Sequence, residues 1–597
     1  MDGHPTPAMS ERSRERLLIL GLIVAALLLS LKYFPGLENE VAYSGNAYQI
    51  IHPDAFAGDP YRGPEHPISA RPLQLTAMYA LVKAVGDLWL DDRFVFLVYW
   101  GLVAVGLAGI DRTAKLLGAN GITERAIILL MFLKDHAVLD HSVRLAHHQD
   151  VNHMAFAIPI IIWLIYVTLA RKDLGVVLAI SAVLTAFSIR NAAIPVSACL
   201  IITAVLGARR ERMVVAALFI AGLAIAYWGL FHFFAVPEMA RLELWEHIKT
   251  QEEGDANPFL GGDGHWVRVS VWGAIVLGGY LACRGDSPAH RGARLYLLIG
   301  ALTFLVGGAY ISFAPDAIKF PLLIGFAPNR ALAWVQNLAY IAIVAGLFRW
   351  AGEQATAKAA IIATAVILVL FIVGPGNHVK WLALTASASV LVVAVYWIGR
   401  PEILARRRST MTLADHLTAA WPVACMQTLV VVLGLALAKG IVDHRAAIGT
   451  MLADGVWGDS ASAPWIGVAE YVRDNTPAGV SILPLTYADA GNTRLTATRS
   501  LGTRAGRAMP VPEVYGADFR SPAAWQRMYQ QLAVLEAIEK ALMRRDFAGA
   551  AESIEHLLPF PDYILLPEGV LDHTATIGPY RLAHRIRGYA LLKRQRR

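Results

Sequence analysis

Charge is what this sequence has least of. Only 17% of its 597 residues are Asp, Glu, Lys or Arg, against 56% hydrophobic, where a soluble protein carries roughly 25% charged residues. That shortage excludes a string of soluble domains. Cysteine is scarce as well. Cys199, Cys283 and Cys425 all fall in apolar segments, which argues against a disulfide framework and for small buried thiols. No P-loop, dinucleotide fingerprint, HExxH pair or nucleophilic Ser/His/Asp pattern is present, and no internal repeat or low-complexity run. The net charge of +7 is not a nucleic-acid signal, because the positive residues sit in short loops between apolar blocks.

Those blocks are what the chain does have. Mean hydropathy is +0.48, and the apolar runs approach the roughly 20 residues that span a bilayer as helix. Leu17 to Tyr33 follows Glu11-Arg12-Ser13-Arg14-Glu15-Arg16 and has no small-residue cleavage site, so it reads as an anchor with its amino terminus in the cytoplasm. Further spans are predicted near 94–111, 123–137, 154–170, 174–189, 192–207, 213–235, 268–283, 295–313, 331–349, 358–374, 379–398 and 418–440, about thirteen in all. A break at Arg190-Asn191 separates two of them. Threading the chain from the first helix puts Arg112/Lys115, Arg171-Lys172, Arg209-Arg210, Arg284/Arg291/Arg294, Arg349 and Arg406-Arg407-Arg408 on the cytoplasmic side. These loops were not used to orient the first helix, so their agreement is an independent check.

The fold class is therefore an α-helical polytopic membrane protein of the cytoplasmic (inner) membrane. Its transmembrane part covers residues 1–441, with outer loops at 34–92 and 236–267. Residues 442–597 form a small carboxy-terminal α/β domain outside the cytoplasm. There Trp465 to Asn475 reads as helix, Gly479 to Leu485 as strand, Pro522 to Arg545 as helix with Ser521 as N-cap, and Phe560 to Pro567 as strand. Arg494, Arg499, Arg504 and Arg507 make a basic run that reads as a solvated or glycan-contacting face.

Chemistry concentrates at the outer ends of the spans. The first outer loop carries Glu38-Asn39-Glu40, Tyr43 and Gly58-Asp59. Acids at the edge of a membrane cavity can activate a hydroxyl by general-base catalysis, although a solvated loop carries carboxylates too. Five histidines and three aspartates fall within the nineteen residues 135–153, among them His147, His148, Asp150 and His153. Such residues can hold a divalent cation, Mg or Mn. An interfacial loop of hydrogen-bonding histidines accounts for the same composition. Arg190 interrupts an apolar run and needs a cavity or a partner. Lys319 and Arg330 bracket the outer mouth of the tenth span. A bound phosphate would explain all three, and snorkelling helix ends would explain the last two. The acidic, Gly-rich loop 236–267 reads as a flexible outer flap.

The order of these residues resembles the polyprenyl-phosphate-dependent glycosyltransferases of the GT-C fold, such as the lipid A aminoarabinose transferases and the protein O-mannosyltransferases. Members of that family show an Asp-Glu pair and a Tyr three residues later, a Gly-Asp, a Lys-Pro-Pro-Leu opening an amphipathic helix, and an Arg starting the second span. An Asp at the mouth of the fourth span and a polar Lys-Gly break follow. Here the matching residues are Asn39-Glu40 with Tyr43, Gly58-Asp59, Arg71-Pro72-Leu73, Arg93, Asp150 and Arg190-Asn191. The resemblance covers roughly the first 210 residues by motif. It implies an integral membrane glycosyltransferase that moves a sugar from a polyprenyl-phosphate donor to a lipid, glycan or protein acceptor of the cell envelope, with membrane lipids around it and no nucleic acid. Glu40 would be the base, with Glu38 its nearest substitute. Arg71, Arg190, Lys319 and Arg330 would hold the donor phosphate, Asp150 would orient the acceptor or help hold a cation, and Asn39, Tyr43 and Asp59 would line the cavity. Asn39 stands where the family has Asp and cannot act as a base. A catalytically inactive envelope-assembly protein of the same fold is the alternative. A lipid or glycan transporter is a further one, disfavoured because no repeated halves are found.

Overall fold

A computed structural model describes residues 72–90, 92–133, 153–234, 265–315, 328–354, 463–485, 505–507, 522–558, 560–571, 576–586 and 588–595, with isolated positions elsewhere. Its helices are α1 (Pro72–Val85), α2 (Asp92–Leu116), α3 (Ile122–Leu133), α4 (His153–Leu169), α5 (Leu174–Phe187), α6 (Ile189–Leu206), α7 (Arg209–Phe234), α8 (His265–Ala282), α9 (Pro288–Phe313) and α10 (Pro328–Gln354). A 3₁₀ turn, Gly86–Leu90, links α1 to α2. Every span predicted between 94 and 349 coincides with one of these helices. The spans predicted at 17–33, 358–374, 379–398 and 418–440 lie, but for isolated positions, outside the described residues.

Helix ends follow local chemistry. Ser287 caps α9, its hydroxyl accepting the His290 N–H, and Pro288 fills the first helical position, where its missing N–H costs nothing. The helix therefore begins seven residues before the predicted span at 295. Gly118, in the turn that follows α2, has a φ of +100° that suits a residue without Cβ, and Ala119 N–H closes on the Ala114 carbonyl at 3.0 Å. Arg112 and Lys115, predicted as loop residues, belong to the last turns of α2.

The bundle is apolar inside and out, as a lipid-facing surface requires. In α9, Ala293, Leu297 and Phe304 are fully buried, while Leu302 is 51% and Val306 68% exposed on the opposite face. Leu97, Val183 and Leu277 likewise point outward from α2, α5 and α8. Among the described residues, Leu97–Leu116 and Pro288–Tyr310 are long and apolar enough to cross a membrane by themselves; Ala155–Leu169, Leu174–Phe187, Asn191–Leu206 and Trp272–Ala282 are shorter apolar helices. Small residues draw α8 and α10 together. A Cβ on Gly279 would meet Ala339 at 2.6 Å, and one on Gly346 would meet Ala282 at 2.9 Å.

The helices alternate in direction, so their ends sort into two groups. At one end, the Arg349 guanidinium donates to the Ala282 carbonyl at 2.9 Å and lies 3.2 Å from His290 Nε2. Gly292 packs against Leu169 and lies near Leu206, which brings the ends of α4, α6 and α8 and the start of α9 together. Arg171 and Glu211 pair at 3.8 Å between the α4–α5 turn and α7. Arg349, predicted at the cytoplasmic end of the span 331–349, lies within α10, which runs on to Gln354, and ties α8 to α9. Cys199 and Cys283 are buried free thiols, as predicted; Cys425 lies outside the described residues.

The carboxy-terminal part is a mixed five-stranded sheet in the order β1-β2-β5-β4-β3, with β1 (Ile482–Pro484) parallel to β2 (Tyr563–Pro567) and the rest antiparallel. Helices α11 (Ala463–Asn475), α12 (Pro522–Met543) and α13 (Phe547–Ile554) accompany it. Leu535, Ile538, Leu542 and Ile554 pack on one face with Ile564, Leu566 and Leu592. Val468, Ala469 and Val472 pack on the other with Tyr563, Leu565 and Leu591. The α/β reading thus holds for α11, β1, α12 and β2. Strands β3 (Thr576–Ile577), β4 (Tyr580–Ile586) and β5 (Tyr589–Arg594) are additions to it.

One prediction fails here. Arg507, read as part of a solvated basic face, is only 4% exposed. Its guanidinium donates to the Arg473 carbonyl at 2.8 Å and to the Thr476 carbonyl at 2.6 Å, and also to Ala505 O. It satisfies the carbonyls that α11 leaves open at its carboxy-terminal end.

Candidate functional site

The end of the bundle opposite Arg349 carries the predicted chemistry. An aromatic stack builds it: Phe187, closing α5, lies 4.9 Å from Phe156 in α4, and Phe156 lies 6.2 Å from Trp89 in the 3₁₀ turn. Trp89 also meets Phe94 of α2 edge-on at 6.4 Å. These contacts bring the first turns of α2 and α4, the end of α5 and the start of α6 to one place. Helix α1 packs along α5 and touches α6. His52 is held there too, with Nε2 3.1 Å from Asp87 Oδ1.

Between α5 and α6 the chain breaks at one residue. Ser188 is extended, with φ −162° and ψ 95°, and its N–H still closes α5 on the Leu184 carbonyl. Its hydroxyl then accepts from the Asn191 backbone and, at 2.6 Å, from the Asn191 side chain, so one serine ends one helix and caps the next. The break predicted at Arg190-Asn191 is thus real but centred two residues earlier. Arg190 becomes the second residue of α6, in a first turn where the helix dipole and free N–H groups favour an anion.

The other candidates are placed as follows. His153 opens α4 and Arg330 is the third residue of α10; both positions lie at the same end as Arg190. Arg93 is the second residue of α2, at this end as well. Glu38, Asn39, Glu40, Tyr43, Asp59, Arg71, His147, His148, Asp150 and Lys319 lie outside the described residues. Among the described residues no group of three or more His, Cys, Asp or Glu is arranged to hold a metal ion. The backbone therefore brings Arg190, His153 and Arg330 to one end of the bundle.

A polar pair that the sequence reading passed over lies toward the other end. Arg125 in α3 and Asp111 in α2 are both buried and joined by two bonds, Nε to Oδ1 at 2.5 Å and Nη2 to Oδ2 at 2.8 Å. Lys115 Nζ lies 3.9 Å from Asp111 Oδ2. The signal was an Asp in an apolar run, four residues before a Lys. A charge there needs a partner, and the next helix supplies it.

No family model matches the chain, and no curated protein matches it at a significant level. Among solved structures the chain is similar to ArnT from Cupriavidus metallidurans, in its apo state and bound to undecaprenyl phosphate. Each match has 13% identity and a TM-score of 0.44, covering 98% of this chain and 98% of that one. It is also similar to the arabinofuranosyltransferase AftD from Mycobacteria, at 13% identity and a TM-score of 0.43, over 99% of this chain but 40% of that one. At that identity and TM-score, function has to be argued from this chain's own residues.

Proposed function

We propose that the chain is an integral membrane glycosyltransferase of the GT-C kind, transferring a sugar from a polyprenyl-phosphate donor to a cell-envelope acceptor at the outer face of the cytoplasmic membrane. The observation that carries this reading is positional. The motif Asn39-Glu40, Tyr43, Gly58-Asp59, Arg71-Pro72-Leu73 leads directly into α1 at Pro72, and α1 packs beside the break that opens α6 with Arg190 in its first turn. Undecaprenyl phosphate, the lipid seen on ArnT, is a carrier of the class assigned here. The convergence of basic helix ends around Arg349, Arg171 and His290 supports the threading that puts the opposite end, and the carboxy-terminal domain, outside the cytoplasm.

In this reading Glu40 accepts the proton of the acceptor hydroxyl as its oxygen bonds to the anomeric carbon of the donor sugar. The bond from that carbon to the phosphate oxygen breaks, and the polyprenyl phosphate leaves with the electron pair. Arg71 and Arg190 hold the phosphate, with Lys319 and Arg330 beside them, because guanidinium meets a phosphate through two parallel N–H bonds. Asp150 orients the acceptor. A divalent cation on His147, His148 and His153 would add charge neutralisation at the leaving group.

Glu40→Gln keeps the shape of the side chain and removes proton acceptance, so turnover of a radiolabelled lipid donor in membranes should fall about 10²–10⁴-fold with donor binding retained. Glu38→Gln should cost less. Arg71→Gln and Arg190→Gln should weaken donor binding in protein that stays monodisperse. Full activity in Glu40→Gln would remove it as the base. Asn39 favours a second reading, an inactive assembly protein, and absence of turnover by the parent with any lipid donor would select it. The membrane arrangement has its own check: a cysteine at Ser460 should react with an impermeant thiol reagent in intact spheroplasts.

A further inference from the structure

The last hairpin of the chain holds its charge in an unusual way. Residues 580–597 contain Arg581, Arg585, Arg587, Lys593, Arg594, Arg596 and Arg597 and no acid, so this one segment accounts for a charge equal to the +7 of the whole chain. The register of β4 and β5 sets Arg581 directly opposite Lys593. Like charges paired across strands repel, and a sheet normally avoids the arrangement. A bulge between Leu582 and His584 shifts the register by one residue, which keeps Arg581 and His584 on the same face. On the other face the basic residues are engaged: Arg585 pairs with Glu568, and Arg594 lies 4.1 Å over the Phe560 ring. Arg581 and Lys593 are both exposed and form no ion pair among the described residues, Lys593 having only the Tyr563 ring 6.0 Å away. The domain thus maintains, on the sheet face that α11 partly covers, an exposed repulsive pair with no counter-charge among the described residues.

We infer that the β4–β5 face is a docking surface for the anionic headgroups of the membrane to which the domain is tethered. The tether argues for the membrane rather than a soluble anion: residues 442–462 are all that separates the last predicted span from α11. A surface held that close meets headgroup phosphates at a high effective concentration, and each basic residue near an anionic surface adds attraction. Docking would hold the domain down over the end of the bundle that carries Arg190. This inference rests on the membrane reading of residues 1–441 and is independent of whether the chain transfers sugar.

The test uses the full chain in nanodiscs of phosphatidylcholine, alone or mixed with phosphatidylglycerol. A fluorophore at Gln595→Cys, an exposed position beside the hairpin, is read against headgroup-labelled quenching lipid. Quenching should be strong in the mixed discs, weak in neutral ones, and reversed by salt. Arg581→Gln/Lys593→Gln, two exposed changes, should lower the docked-to-undocked ratio about 30-fold, from about 1 kcal/mol per basic residue. The expected contrast is checked against a control variant, Arg209→Gln, which should leave quenching unchanged. Equal quenching in both kinds of disc, or no loss in the double variant, would overturn the inference. Displacement by millimolar inorganic phosphate in place of lipid dependence would also overturn it, identifying a discrete phosphate site. Loss of sugar transfer with docking intact would count against the proposed function alone.

Discussion

In the helical bundle Arg125 is buried against a carboxylate, Asp111; in the carboxy-terminal domain Arg507 is buried against carbonyl oxygens of Arg473, Thr476 and Ala505. The surroundings explain the choice. Where apolar helices face lipid on their outer side, an uncompensated charge is costly, and the cheapest remedy is an opposite charge within bidentate reach. In a domain surrounded by water the carboxy-terminal end of a helix offers several carbonyls with partial negative charge, and one guanidinium can fill the gap they leave. Both arginines staple two segments, but the first does so by neutralisation and the second by capping.

The comparison breaks first, and with the largest effect, at the ion pair. Asp111→Leu strands the buried Arg125 guanidinium and should cost about 3–5 kcal/mol, and Arg125→Leu, which leaves Asp111 only Lys115 at 3.9 Å, should fall at the lower end of that range. Asp111→Leu together with Arg125→Met should recover most of that loss, because two apolar side chains of similar volume leave nothing unpaired. Thermal unfolding of the purified protein in detergent distinguishes the outcomes. If the double variant is as unstable as the singles, the pair contributes geometry as well as neutralisation.

Arg507→Met should cost less, about 2–4 kcal/mol, since it leaves neutral carbonyls rather than a bare charge without a partner. The damage should stay local. Hydrogen exchange ought to rise in α11 and its carboxy-terminal turn while the bundle around Tyr340 is unchanged. Arg507→Lys should rescue little, because an ammonium cannot reach carbonyls that a planar fork spans. A variant that exchanges no faster at residues 463–476 would show that the cap is dispensable.

These contrasts also explain what was legible in the sequence. The helices from α2 to α10 follow from apolar blocks of spanning length, and the break before Arg190 from a polar pair within one. The start of α9 was hidden from a hydropathy reading by its first turns, Ala289-His290-Arg291-Gly292-Ala293-Arg294, although Ser287-Pro288 spells a cap followed by the first helical position. Strands β4 and β5 escaped because the bulge after Leu582 breaks the period of two and basic residues occupy the outward positions. The burial of Arg507 had no local signal: the α11 carbonyls that draw it inward lie 31 and 34 residues away. At the candidate site, Arg190 could be placed because its capping serine is adjacent in sequence. The positions of Glu40 and Asp150 depend on residues outside those described.

The smallest effect, and the sharpest contrast, lies within one helix. Gly273 and Gly279 both sit in α8, where a glycine costs roughly 0.5–1 kcal/mol relative to alanine through lost backbone entropy. A Cβ at Gly273 would meet nothing within 4 Å, whereas one at Gly279 would reach Ala339 at 2.6 Å from its backbone Cα. Gly273→Ala should therefore stabilise by up to that amount. Gly279→Ala gains the same entropy but forces α8 and α10 apart, for a net loss of about 1–2 kcal/mol. Opposite signs for the same substitution, two turns apart, would show that close approach to α10 decides the outcome. Two stabilising results would mean that the α8–α10 contact yields without cost, and that the ion pair and the Arg349 bridge to Ala282 hold this part of the bundle without it.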